Sequence, residues 1–311
     1  MPHTVFIDGE AGTTGLQIRA RLQGRRDLTL IHLADDRRKD AAARSEALNA
    51  ADAVVLCLPD AAAREAVALI ENPEVRVVDA STEHRVNDGW VYGFPELCAG
   101  QRERIVGSRR IANPGCWPTG FLALARPLVD AGLIPADSPL TVHGVSGYSG
   151  GGKAMIAEFE EGEVAPPFRL YGLGLGHKHI PEMTAYARLT RPPVFSPAVG
   201  RFRQGMLVEV PLALEALPAA PTVAQVQDAL ESAYAGLRFV EVAGRAEAEA
   251  LSTLAPEDLN DSNRMRLFVF GGEGRGQARL VAQFDNLGKG ASGAAVQNLN
   301  LCLGLEEGAG L

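Results

Sequence analysis

Several features that define whole classes of protein are missing from this sequence. It has only four cysteines in 311 residues, and none stands in a C-x-x-C pair, so neither a disulfide framework nor a metal site of the zinc type is predicted. No apolar run is long enough to span a bilayer, and residues 1–5 show neither the basic nor the apolar part of a secretion signal. We therefore expect a protein of the reducing cytoplasm that has no membrane contact.

Excess positive charge and repetition are also missing. The chain has 30 Lys and Arg against 38 Asp and Glu, a formal net charge of −8, so non-specific binding to nucleic acid is not expected. An anionic ligand would have to be held by local cationic groups. No internal repeat or low-complexity segment is visible, and the length suits two globular domains.

The first part of the chain alternates between apolar runs and helical patterns. Residues 4–8, 52–58 and 75–80 are nearly continuous apolar runs, which is typical of parallel strands buried on both faces. The alanine-rich residues 60–71 predict a helix between two of them. This order predicts a doubly wound α/β domain. Alternation in three later segments predicts a mixed or antiparallel sheet: residues 205–214, 265–270 and 277–284.

A glycine-rich turn follows the first predicted strand. Gly9, Gly12 and Gly15 precede a helical pattern over 16–22, and this order opens many dinucleotide-binding domains because glycines let a pyrophosphate approach a helix N-terminus. The spacing is G-x-x-G-x-x-G rather than the usual G-x-G-x-x-G, so an ordinary tight turn is the alternative.

The charges after the second predicted strand, residues 28–34, leave the choice of cofactor open. Asp35 and Asp36 suit the ribose hydroxyl of NAD. Arg37, followed by two more cations, suits the 2′-phosphate of NADP, and a solvated charge run is the third possibility.

The stretch 112–120 carries the most specific chemistry. Cys116 precedes the apolar run 121–125, which predicts a helix with the thiol at or near its N-terminus. The helix dipole there favours the thiolate, the reactive form. Pro114 and Pro118 restrict the backbone on either side, so we interpret Cys116 as a nucleophile rather than a buried structural thiol.

Further polar residues predict partners for this thiol. His177 and His179 precede Glu182; no third metal ligand is apparent, and a general acid–base histidine oriented by Glu182 is favoured over a metal site or a structural pair. Arg85 and Lys153 are candidate anion-binding cations. The small residues of 146–153 suggest close approach by a ligand or cofactor ring, with a flexible loop as the alternative.

Together these motifs resemble the shorter subtype of the N-acetyl-γ-glutamyl-phosphate reductases. Residues 113–120 (NPGCWPTG) match the family's cysteine signature, and weaker matches extend over nearly the whole chain: residues 8–16, 146–153, 177–182 and 285–290. Trp117 replaces the usual Tyr or Phe, and Lys178 replaces a common Arg.

The resemblance implies a fold similar to aspartate-semialdehyde dehydrogenase. A Rossmann-type NADP-binding domain would span 1–115 and be completed by a C-terminal helix at 290–311. An α/β catalytic and dimerisation domain with a mixed sheet would span 116–289. A homo-oligomer, a dimer or tetramer, is expected.

The resemblance also implies roles for individual residues in the reduction of a small acyl phosphate through a cysteine thioester. Cys116 would be the nucleophile and His179 the base, with His177 close by, and no metal is expected. Acyl-phosphate-binding residues would be Arg85, Lys153 and Glu182. NADP-binding residues would be Gly9, Gly12, Thr13, Thr14, Gly15, Arg37, Ser146, Gly147, Asn286 and Lys289. The alternatives are an enzyme for aspartyl phosphate and a dinucleotide sensor without catalysis.

Overall fold

The computed structural model describes residues 1–162, 166–272 and 274–311, and the chain divides into two compact units. The first unit comprises Met1–Pro95, Gly100–Gly115 and Ala291–Leu311, and the second comprises Glu96–Ala99 and Cys116–Gly290. Within the described residues, no helix combines the length and apolar character needed to cross a bilayer.

The first unit is built on a six-stranded parallel sheet with the strand order β2-β1-β3-β4-β6-β5. The strands are β1 (His3–Asp8), β2 (Leu28–Ile31), β3 (Ala53–Leu56), β4 (Arg76–Asp79), β5 (Val91–Tyr92) and β6 (Arg110–Ala112). The helices are α1 (Thr13–Leu22), α2 (Ala41–Ala50), α3 (Asp60–Ala68), α4 (Gln101–Val106) and the C-terminal helix Gly293–Cys302.

Both faces of this sheet are covered, which explains the continuous apolar runs of its strands. On one face Val55 and Val78 pack with Ile18 of α1 and Leu299 of the C-terminal helix. On the other, Val54 packs with residues of α2 and α3. The prediction of a parallel α/β sheet is confirmed. The second strand ends at Ile31 rather than at residue 34, and the helix predicted over 60–71 ends at Ala68.

The second unit contains a seven-stranded mixed sheet with the order β11-β12-β13-β10-β7-β9-β8. Two neighbouring pairs, β7 with β9 and β11 with β12, are parallel and the others antiparallel, as the alternating sequence predicted. The strands are β7 (Thr141–Gly147), β8 (Phe168–Leu170), β9 (Val194–Gly200), β10 (Met206–Ala213), β11 (Val240–Val242), β12 (Met265–Phe270) and β13 (Gln277–Phe284). The helices are α5 (Cys116–Asp130), α6 (Gly152–Glu161), α7 (Ile180–Tyr186), α8 (Val223–Tyr234) and α9 (Arg245–Ala250).

Helix α5 lies directly against the sheet of the second unit. A Cβ atom added at Gly120 would lie 2.7 Å from Val208 Cγ2 and 2.8 Å from Phe284 Cε1, so only glycine permits this approach of helix and sheet. Every residue from 117 to 128 is buried. The apolar run that predicted the helix therefore forms its core face, and the helix begins at Cys116.

A proline inside α5 is compensated by a tyrosine of α8. Pro127 has no N–H to donate to the carbonyl of Ala123, four residues earlier. The buried hydroxyl of Tyr234 donates to that oxygen at 2.9 Å. Burial raises the pKa of Tyr234, which keeps the hydroxyl protonated as a donor.

This contact predicts a measurable contribution to stability. Tyr234→Phe should lower the free energy of unfolding by about 1–3 kcal/mol, because a buried carbonyl loses its donor. In a Pro127→Ala background, where the amide of residue 127 can donate, the same change should cost less. Denaturant unfolding of the four proteins measures both costs, and equal costs in the two backgrounds would contradict the compensation.

Candidate active site

The cysteine is the first residue of α5 and is half-buried. The N–H groups of a helix's first turn have no partner within the helix and favour negative charge. A Cβ atom added at Gly290 would lie 2.8 Å from the Cβ of Cys116, so glycine at 290 leaves room for the thiol. Burial raises the pKa of Cys57 and Cys302 to about 12, which leaves those two thiols protonated and unreactive.

The histidine pair is joined to the cysteine turn by aromatic contacts within the second unit. The ring of Phe195 lies edge-on to Trp117, with centroids 5.3 Å apart, and to His177 at 5.1 Å. His177 in turn lies 4.7 Å from His179. Trp117 directly follows Cys116 in the chain, so these ring contacts link the histidine pair to the residue next to the cysteine.

The two histidines have different local roles. His179 precedes α7 as its N-cap residue and is 8% exposed. Its backbone N–H donates to Nδ1 of His177 at 3.2 Å, so a neutral His177 carries its proton on Nε2. Glu182 is buried in the first turn of α7. An orienting role of Glu182 stays a prediction.

Tyr171 also belongs to this cluster, although nothing in the sequence around it indicated a role. It follows β8, hydrogen-bonds Trp117, and lies 6.0 Å from the ring of His177. Burial, and secondarily the negative charge of Cys116, raise the pKa of Tyr171. Tyr171 and Phe195 are 55 and 79 positions from Cys116, so only the folded chain reveals the cluster.

The stretch 146–153 is ordered secondary structure rather than an open loop. Ser146 and Gly147 end β7, a 3₁₀ turn spans Tyr148–Gly151, and Lys153 lies exposed in the first turn of α6. A Cβ atom at Gly147 would lie 2.6 Å from the carbonyl oxygen of Arg203. The backbone of another segment accounts for this glycine, whereas a ligand was predicted to do so.

Asn286 and Lys289 have protein partners. Asn286 accepts from the N–H of Gly205 at 2.8 Å and donates to Ser149 Oγ at 3.1 Å. The ammonium of Lys289 is 1% exposed and lies 2.8 Å from both carboxylate oxygens of Glu96. These bonds tie the second unit together; the cofactor contacts inferred for the two residues stay a prediction.

The packing of the turn over residues 9–15 itself requires two of its glycines, and a pyrophosphate contact of the turn stays a prediction. Gly9 has a φ of +88°, and a Cβ there would lie 2.3 Å from the carbonyl oxygen of Cys57. Gly15 is similarly crowded by the oxygen of Gly9, at 2.5 Å. Gly12 is the N-cap of the ten-residue α1, whose first residues are Thr13 and Thr14.

A cavity of about 390 Å³ lies beside this turn. Its lining includes residues 6–11 and also Asp35, Arg38 and Lys39. Arg37, which the sequence favoured for the 2′-phosphate, is exposed and outside the lining. The structure directs the other two cations of the same run into the cavity.

Arg85 lies beyond the carboxyl end of β4 and is 7% exposed. Its Nε donates to the carbonyl oxygen of Asn113 at 3.0 Å, and one terminal nitrogen donates to that of Ala80 at 3.2 Å. Among the residues that the structure describes, no group of three or more His, Cys, Asp or Glu is arranged to hold a metal ion.

Comparison with known proteins places this geometry in a family. Residues 4–105 match a model described as the semialdehyde dehydrogenase NAD binding domain, and residues 116–286 match the semialdehyde dehydrogenase dimerisation domain. Aspartate semialdehyde dehydrogenase II of Vibrio cholerae, complexed with ASA, superposes with a TM-score of 0.69 at 17% identity, covering 97% of this chain and 98% of that one. An aspartate semialdehyde dehydrogenase with NADP from Candida albicans gives 0.66 at 14% identity, with coverage of 97% and 98%. These two likenesses establish the fold.

Sequence relatives are much more similar. An N-acetyl-gamma-glutamyl-phosphate reductase of Chelativorans sp. (strain BNC1) is 56% identical over 306 residues, which cover 97% of this chain and 99% of the relative. N-acetyl-gamma-glutamyl-phosphate reductase 2 of Pseudomonas putida is 55% identical over 302 residues, 96% of each chain. Because these relatives are more than half identical over nearly their whole length, the chain belongs to the N-acetyl-γ-glutamyl-phosphate reductase family of the semialdehyde dehydrogenases.

Proposed function

We propose that this chain reduces N-acetyl-γ-glutamyl phosphate to N-acetylglutamate 5-semialdehyde and releases phosphate, a step of arginine biosynthesis. The observation that carries the proposal is Cys116 at the N-terminus of α5, joined through Trp117 and Phe195 to the histidine pair. It occurs in a chain more than half identical to reductases of that name.

Cys116 is the nucleophile of this reaction. Its thiolate attacks the acyl carbon, the bond from that carbon to the phosphate oxygen breaks, and inorganic phosphate leaves a thioester on the protein. The oxyanion formed during the attack gains stabilisation from the N–H groups of the first turn of α5, which are fixed before substrate arrives. The buried body of the helix holds those groups in place.

His179 is the acid–base residue. After the thioester is reduced, its imidazolium donates a proton to the oxygen of the hemithioacetal. When the imidazole takes that proton back, the bond from carbon to the Cys116 sulfur breaks, the aldehyde leaves and the thiolate is restored. His177 supports it, because the His177 Nδ1 accepts the backbone N–H of His179 and fixes the two rings relative to each other.

The first unit fits NADPH. The N-terminus of α1, capped by Gly12, would offer backbone N–H groups to a pyrophosphate, and Arg38 and Lys39 line the cavity beside the glycine turn. NADPH supplies the hydride for the thioester when it is bound. Arg38 and Lys39 would hold the 2′-phosphate, and Arg85 and Lys153 would supply positive charge to the acyl phosphate in a chain of net charge −8.

The match to a dimerisation domain and the state of the cysteines suggest how the enzyme assembles and where it acts. The second unit matches a dimerisation domain, and we propose that the enzyme is a homo-oligomer, either a dimer or a tetramer. None of the four cysteines, all of which the structure describes, forms a disulfide, which suits a reducing compartment and supports the cytoplasm as the site of the reaction.

Replacement of the nucleophile tests the proposal directly. Cys116→Ser should abolish phosphate-dependent formation of NADPH from the semialdehyde, since a serine hydroxyl is not ionised at neutral pH, while NADPH binding measured by fluorescence stays intact. Cys98→Ser, a change at another cysteine of the second unit, is the matched control and should remain active. Near-normal turnover by Cys116→Ser would remove Cys116 from the mechanism. Aspartyl phosphate assayed in parallel tests the substrate.

Replacing each histidine in turn shows which of the two is the acid–base residue and which only supports it. His179→Asn should lower kcat by about 10²- to 10⁴-fold, because proton transfer at the hemithioacetal oxygen is lost. His177→Asn should cost less, since in this scheme His177 transfers no proton and only supports His179. The exposed His32→Asn is the control. A larger loss for His177→Asn than for His179→Asn would assign the acid–base role to His177.

The cations of the cavity determine the preference for NADPH. The double variant Arg38→Ala, Lys39→Ala should raise KM for NADPH by about 10- to 100-fold, because each charge-assisted bond to the phosphate contributes about 1.5–3 kcal/mol and part of the charge is screened. KM for NADH should change little. Arg37→Ala is the matched control. A larger rise in KM for NADPH in Arg37→Ala would show that Arg37, as the sequence suggested, binds the 2′-phosphate.

A further inference from the structure

A buried carboxylate at the end of β4 organises the segment that follows it. Asp79 is fully buried. Its Oδ1 accepts the backbone N–H of Ser81 at 2.9 Å, and its Oδ2 accepts the Ser81 hydroxyl at 2.7 Å. Nδ1 of His84 lies 2.6 Å from the same Oδ2. Three donors from two residues therefore surround one carboxylate.

The histidine of this group is held from its other side as well. His84 is 6% exposed, and its ring stacks on Trp90 with centroids 4.1 Å apart and an interplanar angle of 16°. A buried imidazole between a carboxylate and an indole has one orientation, with the Nδ1 proton directed at Asp79. Asp79 and His84 have no role in the reaction steps proposed above.

The rest of the segment is fixed residue by residue. Thr82 donates to Asp60 through both its backbone N–H, at 2.9 Å, and its hydroxyl, at 2.5 Å. Glu83 forms a two-bond ion pair with Arg64, at 2.8 Å for each bond. From Ser81 to His84, each side chain is thus bound to another part of the first unit.

Arg85 comes next, and its surroundings connect the segment to the cysteine turn. The Nε of Arg85 donates to the carbonyl oxygen of Asn113, whose own N–H donates to the carbonyl oxygen of Asp79 at 2.7 Å. Asn113 is three positions before Cys116 in the chain. The guanidinium is therefore held against backbone that leads to the nucleophile.

We propose that Asp79 and His84 are positioning residues that keep Arg85 in place to bind the phosphate group of the substrate. The proposal rests on the proposed function and deepens it. An unshielded Asp79 carboxylate, six positions before Arg85, would attract the guanidinium and repel a phosphate. The donors of Ser81 and His84 saturate that carboxylate, so Arg85 remains on the carbonyls of Ala80 and Asn113.

The test measures the phosphate-dependent reverse reaction with inorganic phosphate as the varied substrate. His84→Ala should raise KM for phosphate by about 10- to 100-fold, because a displaced binding group loses much of its effect, with KM for NADP within two-fold of the parent. His84→Asn, whose amide can donate where Nδ1 does, should recover most of the loss. Adding Asp79→Asn to His84→Ala should recover part of it by removing the competing charge. Arg64→Gln, which breaks a surface ion pair of the same segment, should leave KM for phosphate unchanged.

Two results would overturn the inference. One is a similar rise of all three KM values, for phosphate, semialdehyde and NADP, in His84→Ala; the other is failure of His84→Asn to improve on His84→Ala. Calorimetric titration with inorganic phosphate gives a second readout, in which His84→Ala should bind at least ten-fold more weakly than the parent. If the parent protein shows no phosphate-dependent turnover, the proposed function fails, and the titration still decides the inference.

Discussion

The contact between α5 and its sheet is the constraint on which the chemistry of the second unit depends. A helix dipole is useful to a thiol only if the helix end stays in one place, and α5 is fixed by burial of residues 117–128 rather than by contacts at its tip. Gly120 permits the close approach to Val208 and Phe284. The same approach explains Gly290, which faces the Cβ of Cys116. Gly120 and Gly290, far apart in the chain, thus both leave the room that the N-terminal part of α5 needs.

The first unit meets a different requirement, which concerns charge. Two of its central strands, β1 and β4, end in buried aspartates at the edge where parallel sheets bind ligands. Asp8 lies 2.8 Å from a terminal nitrogen of Arg44, and Asp79 accepts from Ser81 and His84. Each carboxylate is compensated by its own donors. A domain that binds anionic molecules can therefore carry these aspartates without repelling its ligands.

The sequence predicted what is local and missed what depends on distant segments. The strands β1, β3 and β4 were recognisable because burial on both faces leaves a continuous apolar run. The start of α5 followed from the run after Cys116. The glycines of 146–153 were interpreted as ligand-facing, but the backbone of residue 203 accounts for Gly147. No local pattern could indicate Tyr171 or Phe195, because their contacts exist only after β8 and β9 have joined the sheet. The order of α5, β9 and α7 in space also had no local signal.

The pair Lys289 and Glu96 shows why a family motif and a residue's physical task are separate questions. The motif suggested a lysine beside the cofactor. In the fold its ammonium is buried against a carboxylate 193 positions away, with the ring of Phe239 5.6 Å from the same nitrogen. A buried ion pair of this kind contributes little net stability, yet removal of one partner leaves an uncompensated charge at a cost of about 3–5 kcal/mol. Structural necessity is therefore sufficient to require a lysine at 289. A cofactor contact of Lys289 would come in addition to this ion pair, and removal of the ammonium would therefore disturb folding and binding together.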